Sequence, residues 1–104
     1  MDVINVISKV AGLPDADVVY PDSDVQPAFK YYCDGPHVHD YLQEMHHKVL
    51  SRYPNHFTVG ETPFTHEAAD LLKYVLPERK ELQMVFQFEL VDLGESRPNM
   101  QCVT

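Results

Sequence analysis

Two short runs rich in β-branched and aromatic residues, Phe57 to Glu61 and Leu82 to Leu90, flank a single amphipathic stretch from Thr65 to Tyr74. Two strands joined by a tight turn lie antiparallel, whereas two strands separated by a helix run parallel with a right-handed crossover between them. Phe57-Thr58-Val59-Gly60-Glu61 reads as a buried strand that ends on a carboxylate, and Leu82 to Leu90 as a second strand, apolar over most of its length. In the intervening helix Ala68, Leu71, Leu72 and Val75 fall on one face. Thr65 is placed to cap that helix, and Pro77 to stop it.

Upstream, Val38, Tyr41, Leu42, Met45, Val49, Leu50 and Tyr53 recur at helical spacing, so a helix is expected from His37 to Tyr53, bounded by Pro36 and Pro54. Asp2 to Ile7 is a brief apolar run that fits the end of a strand or a short helix equally well. Between them, Ala11 to Pro36 carries Gly12, Pro14, Pro21, Pro27, Gly35 and Pro36, which interrupt any long element. Phe29, Tyr31 and Tyr32 suit this loop to packing, and it is expected to be ordered against a larger body. Gly94 to Thr104 has no clear period and reads as a tail. The order is strand end, loop, helix, strand, helix, strand: an α/β chain with about three parallel strands and connecting helices. Closed architectures of that pattern usually need about 250 residues, and this chain has 104.

Charge narrows the partners. Sixteen acidic residues against eight basic ones give a net charge of −8, which repels phosphate backbones and anionic lipid, so neither nucleic acid nor a membrane is an expected partner. No apolar run approaches the roughly 18 residues of a membrane span, and Met1 to Val10 lacks the features of a signal peptide. A soluble, cytoplasmic protein is expected, with Cys33 and Cys102 as reduced thiols.

Two stretches are more specific. Met1-Asp2-Val3-Ile4-Asn5, continuing through Ile7-Ser8-Lys9 and Gly12-Leu13-Pro14-Asp15, resembles the nucleophile segment of α-glucosidases in glycoside hydrolase family 13, the α-amylase superfamily. Thr58-Val59-Gly60-Glu61-Thr62-Pro63 resembles the general acid/base segment of that family. Pro77-Glu78-Arg79-Lys80-Glu81-Leu82 with Met84-Val85-Phe86-Gln87-Phe88-Glu89 resembles the strand that follows. The resemblance covers residues 1–93 and points to the maltase, isomaltase and oligo-1,6-glucosidase group, while the tail 94–104 departs from it. It implies a partial TIM (β/α)8 barrel, Asp2 as nucleophile, Glu61 as general acid/base, an oligosaccharide substrate, and neither cofactor nor metal. Val3 looks like the isomaltase-type residue, a hint of α-1,6 acceptance. The family's Gly-Phe-Arg run before the nucleophile, its earlier strands and its later His-Asp pair have no counterpart here. The resemblance therefore implies an internal piece of the catalytic barrel, with missing barrel segments as its partners.

Retaining hydrolysis needs one carboxylate to attack the anomeric carbon and a second carboxylic acid to protonate the leaving oxygen, the two about 5–5.5 Å apart. Neighbouring strands lie about 4.8 Å apart, so carboxylates at the ends of consecutive barrel strands suit retention better than inversion. The plainer readings are that Asp2 and Glu61 are solvated surface groups, that Glu89 and Asp92 are rim carboxylates, and that Gly60 makes room for close packing. His37, His39, His46 and His47 match no zinc spacing, and His46 and His47 are expected in solvent. Tyr31 and Tyr32 suit stacking on sugar rings or, more simply, anchoring the loop. Three functions follow: an α-glucosidase segment, a catalytically inactive remnant, or a carbohydrate-binding module.

Overall fold

The structure, a computed structural model, describes residues 1–89. Leu90, Asp92, Cys102 and the expected tail 94–104 lie outside the described residues. In chain order the elements are α1 (Phe29–Tyr32), α2 (Val38–Lys48), β1 (Val59–Glu61), α3 (Ala68–Val75) and β2 (Met84–Phe86), with single 3-10 turns at Ile4–Val6, Leu50–Arg52 and Pro77–Arg79. The strands β1 and β2 pair in parallel, with Val59 opposite Met84, Gly60 opposite Val85 and Glu61 opposite Phe86. Parallel pairing across α3 is the βαβ arrangement that the residue pattern predicts.

Among the described residues the sheet has two strands rather than about three. Where a third would lie, only Met1 pairs: its ammonium donates to the Val59 carbonyl at 2.9 Å, and the Glu61 N–H donates to the Met1 carbonyl at 3.0 Å. Those are the two bonds of a parallel neighbour opposite Gly60. The backbone then leaves the ladder, because Val3 takes a left-handed conformation (φ 42°, ψ 53°) and Ile4–Val6 forms a 3-10 turn. The ambiguous opening is thus a ladder rung followed by a turn. The second strand is also shorter than Leu82 to Leu90. Its last rung is the Thr62 N–H donating to the Phe86 carbonyl at 3.1 Å; beyond it Pro63 has no N–H to give and Phe64 turns left-handed (φ 73°).

Ile4, Val38, Leu42, Tyr74 and Leu82 form the buried core, with Met45, Val75 and Val85 packed against it. Each helix buries less of its apolar stripe than its periodicity predicts. Tyr41, Val49 and Tyr53 stay exposed along α2 and the turn after it, as does Leu72 on α3, since two strands are too narrow a floor for two helices. On α3 the deepest residue is Tyr74, not the Ala68–Leu71–Leu72 face. Thr65 does not cap α3. Glu67 occupies the cap position without a side-chain bond, because the Thr65 hydroxyl is engaged elsewhere, as described below.

The loop from Ala11 to Pro36 is tied by bonds within itself, while Leu13, Val18, Val19 and Val25 stay exposed. Gln26 Oε1 accepts from the Val19 and Tyr20 N–H groups at 2.8 and 2.9 Å, while its Nε2 donates to the Tyr20 and Ser23 carbonyls at 2.7 and 2.8 Å. Lys30 also pairs with Asp17 across the loop. On the other side of the core, the fully buried carboxylate of Glu81 meets His39 Nδ1 at 2.8 Å and accepts from Gln43 Nε2 at 3.2 Å and Arg79 Nη2 at 2.9 Å. A buried charge is tolerated only when paired and hydrogen-bonded in this way.

Gly60 sits at the centre of the sheet. A Cβ there would lie 2.5 Å from Leu82 Cδ1 and 3.0 Å from Ile4 Cγ2, so the residue makes room for the core to close over the strand. Gly60→Ala is expected to destabilise the chain by about 1–3 kcal/mol through overpacking. A urea titration followed by circular dichroism checks this, and an unmoved midpoint would refute it.

Candidate active site

The three sequence-predicted residues gather at one end of the sheet. Glu61 is the last residue of β1, and Asp2 lies in the turn directly after the rung that Met1 makes with β1, at the same end of the sheet. In α/β barrels catalytic groups lie at that end. Asp2 is exposed, Val3 and Glu61 half-buried. The decisive contact is between them: the Val3 N–H, on the peptide that leaves Asp2, donates to Glu61 Oε2 at 3.0 Å. The left-handed turn at Val3 goes with this contact. A β-branched residue in that region costs about 1–3 kcal/mol, and such strain concentrates at functional sites.

Around Glu61 lies a cleft of about 310 Å³, whose wall includes Val3, Thr62, Pro63, Phe64, His66, Gln87, Phe88 and Glu89. That volume is at the small end of ordinary ligand pockets, about 300–1,000 Å³. Glu89 sits at the rim, as the sequence suggests, and pairs with His66 Nδ1 at 2.8 Å. Phe64 stacks on Phe29 of α1 with ring centroids 4.2 Å apart, and Phe29 meets Tyr32 edge-on at 5.5 Å. Tyr31 instead lies under Lys30 and accepts the Val10 N–H on its carbonyl at 2.9 Å, which is the anchoring role.

Sequence reasoning missed Phe64, His66 and Gln87 on this wall. It also missed the polar cluster beneath it. Asn5 is buried and donates from Nδ2 to Thr65 Oγ1 at 2.8 Å; Thr65 in turn donates to the Asp34 carboxylate, 2.8–2.9 Å away, which also accepts the Tyr74 hydroxyl. Burial and the neighbouring Asp34 push the Tyr74 hydroxyl well above the usual phenol range, so it remains a donor at any ordinary pH. Their signal was present as polar residues flanking apolar runs, but nothing in their spacing shows that residues 5, 34, 65 and 74 converge.

The histidines do not converge. His37 faces Asp40, His39 faces Glu81, and His46, expected in solvent like His47, is half-buried against the His56 ring at 5.9 Å. Among the described residues no group of three or more His, Cys, Asp or Glu side chains is placed to hold a metal ion. No helix is long and apolar enough to cross a membrane.

Residues 1–103 match the family described as "Alpha amylase, catalytic domain". The chain belongs to the α-amylase catalytic-domain family. Within it, the oligo-1,6-glucosidase of Parageobacillus thermoglucosidasius is 52% identical over 95 residues, a stretch covering 89% of this chain and 16% of that protein. The α-glucosidase of Schizosaccharomyces pombe is 39% identical over 93 residues, covering 89% and 16%. Among solved structures, Bacillus licheniformis trehalose-6-phosphate hydrolase aligns with a TM-score of 0.66 at 43% identity, over 88% of this chain and 15% of that one. A trehalulose synthase variant aligns at 0.68 and 33% identity, over 88% and 16%. The chain thus spans about a sixth of the length of the curated relatives it matches. Membership in the α-amylase family makes its two strands and their helices part of a TIM barrel wall.

Proposed function

We propose that this chain supplies both catalytic carboxylates of a retaining α-glucosidase acting on terminal α-1,4 and/or α-1,6 bonds of maltose- or isomaltose-like oligosaccharides. The observation that carries the reading is the bond from the Val3 N–H to Glu61 Oε2, which holds one acid side chain against the peptide of the other. Adjacent positions on a parallel ladder are about 4.8 Å apart, close to the 5–5.5 Å or so that retention requires. With Oε2 held by the backbone, Oε1 of Glu61 is the oxygen left to carry the proton.

In the first step an Asp2 oxygen attacks the anomeric carbon as the glycosidic C–O bond breaks, and the Glu61 proton passes to the departing oxygen. In the second step Glu61, now a carboxylate, takes a proton from water, whose oxygen displaces Asp2 from the anomeric carbon. The α configuration is inverted twice and so retained. No step calls for a cofactor. Val3 borders the cleft beside Glu61, which supports a part for its side chain in linkage preference. The proposed compartment is the cytoplasm, consistent with only two cysteines set far apart in the sequence.

In a complete barrel carrying this segment, Asp2→Asn is expected to lower glucose release by at least about 10³-fold, and NMR of the first product formed should show the α-anomer. Release of the β-anomer, or an Asp2→Asn variant with unchanged turnover, would overturn the reading. The two strands of the described residues close no barrel by themselves, and the isolated 104-residue chain is expected to release no glucose.

A further inference from the structure

We infer that Asp34 is a positioning residue that fixes the nucleophile segment relative to the acid/base segment. The inference rests on the α-glucosidase reading above. Asp34 lies at the end of the long loop, in neither segment, yet it bonds to both. Its N–H donates to the Asn5 carbonyl at 2.8 Å, three residues after Asp2. Its carboxylate accepts the hydroxyl of Thr65, four residues after Glu61, and Thr65 accepts Nδ2 of Asn5 in return. The three residues form a closed ring of hydrogen bonds. Tyr74 secures that ring to α3 through its hydroxyl on Asp34 Oδ1.

The bonds of Thr65 form a consistent set, while Asn5 Oδ1 is buried without a partner among the described residues. Thr65 has one hydroxyl proton, which goes to Asp34, and lone pairs, one of which takes the Asn5 amide. Asn5 is fully buried and Thr65 nearly so, so the ring is shielded from water and its bonds are not exchanged cheaply. Asp34 itself adopts φ 49°, a left-handed conformation that Asp, Asn and Gly tolerate. The ring therefore requires a left-handed residue that presents an acceptor oxygen. An asparagine would keep the essential acceptor: Oδ1 takes both the Thr65 hydroxyl, at 2.9 Å, and the Tyr74 hydroxyl, while the amide group replacing Oδ2, which accepts from Thr65 at 2.8 Å and Cys33 Sγ at 3.6 Å, can donate to the free lone pairs of those two groups.

If the ring sets the spacing of Asp2 and Glu61, loosening it must harm bonds that need protonation more than bonds that do not. A misplacement of about 1 Å costs on the order of 10²-fold in a step that depends on alignment. The test compares kcat/KM for isomaltose or maltose with kcat/KM for 4-nitrophenyl α-glucoside, whose leaving group departs without a proton. Their ratio is independent of how much protein is folded, so general destabilisation does not move it.

In the complete enzyme carrying this segment, Asp34→Gly keeps the backbone conformation and removes the acceptor. It is expected to lower the ratio by about tenfold or more, with KM for the aryl substrate within about threefold of the parent. Asp34→Asn should restore the ratio to the parent value. Thr65→Val, which cuts the ring while leaving the Tyr74 bond intact, should lower the ratio as Asp34→Gly does, and it decides the matter if Asp34→Gly yields no folded protein. An unchanged ratio in Asp34→Gly or Thr65→Val, or an Asp34→Asn variant as impaired as Asp34→Gly, would overturn the positioning role. A parent enzyme that cleaves neither substrate would instead sink the α-glucosidase reading itself.

Discussion

Replacing Glu61 by glutamine should nearly abolish cleavage of a disaccharide while sparing the first step on an activated aryl glucoside. Glutamine is close to isosteric and its oxygen still accepts the Val3 N–H, so the 3.0 Å contact survives. What disappears is the transferable proton, and general acid–base catalysis of this kind is worth about 10²–10⁴-fold. An aryl glucoside needs no proton to lose its leaving group. Its glycosylation step should therefore persist, giving a burst of nitrophenol followed by slow turnover, because no base remains to activate water. Stopped-flow absorbance on the complete enzyme would show the burst. A glycosylation step slowed equally on both substrates, or a loss under tenfold on the disaccharide, would remove Glu61 from the acid/base role.

Among the glycines of the described residues, Gly35→Ala should be the most damaging single-methyl change. A Cβ at residue 35 would lie 1.9 Å from the Ser8 carbonyl oxygen and 2.5 Å from its carbon. Both are backbone atoms, so no rotamer change relieves the clash, in contrast to Gly60, where the nearest atoms belong to side chains. Ser8 is also held in place: it is buried and its hydroxyl accepts the His37 N–H at 2.9 Å. The two segments must separate, which breaks the Asp34-to-Asn5 backbone bond beside the candidate site. The destabilisation is expected to exceed the ~1–3 kcal/mol of ordinary overpacking, a large part of a typical domain's roughly 5–15 kcal/mol. Soluble yield and the urea midpoint measure it. A variant with the parent midpoint would mean that Ser8 and Gly35 are not packed backbone to backbone.

The parallel strand pair, α2 and the strand-end position of Glu61 were legible because they depend on local period and on prolines that end elements. Pro77 ends a helix as expected, but α2 stops at Lys48, short of the Tyr53 expected before Pro54, and a separate 3-10 turn at Leu50–Arg52 fills part of the gap. The Asp2–Glu61 neighbourhood was legible only through the motif resemblance, since nothing in the residues between them fixes their contact. Illegible features were those decided at long range. The Thr65 hydroxyl looked free to cap α3, but a buried amide and a half-buried carboxylate out-compete an exposed helix end. The inner stripe of α3 was read from Ala68 and the leucines, yet Tyr74 goes inside because its hydroxyl has Asp34 to meet. Strand length was overestimated because Pro63 on one strand limits its neighbour, and a run of apolar residues carries no record of its partner's prolines.

The hand that steadies Glu61 belongs to the main chain of residue 3, and the same residue borders the cleft. Any amino acid that accepts the φ of 42° there would offer the same amide hydrogen, whatever group it carries. On the proposed reading, substitution at this one position would alter the wall beside Glu61 while leaving its anchoring bond in place.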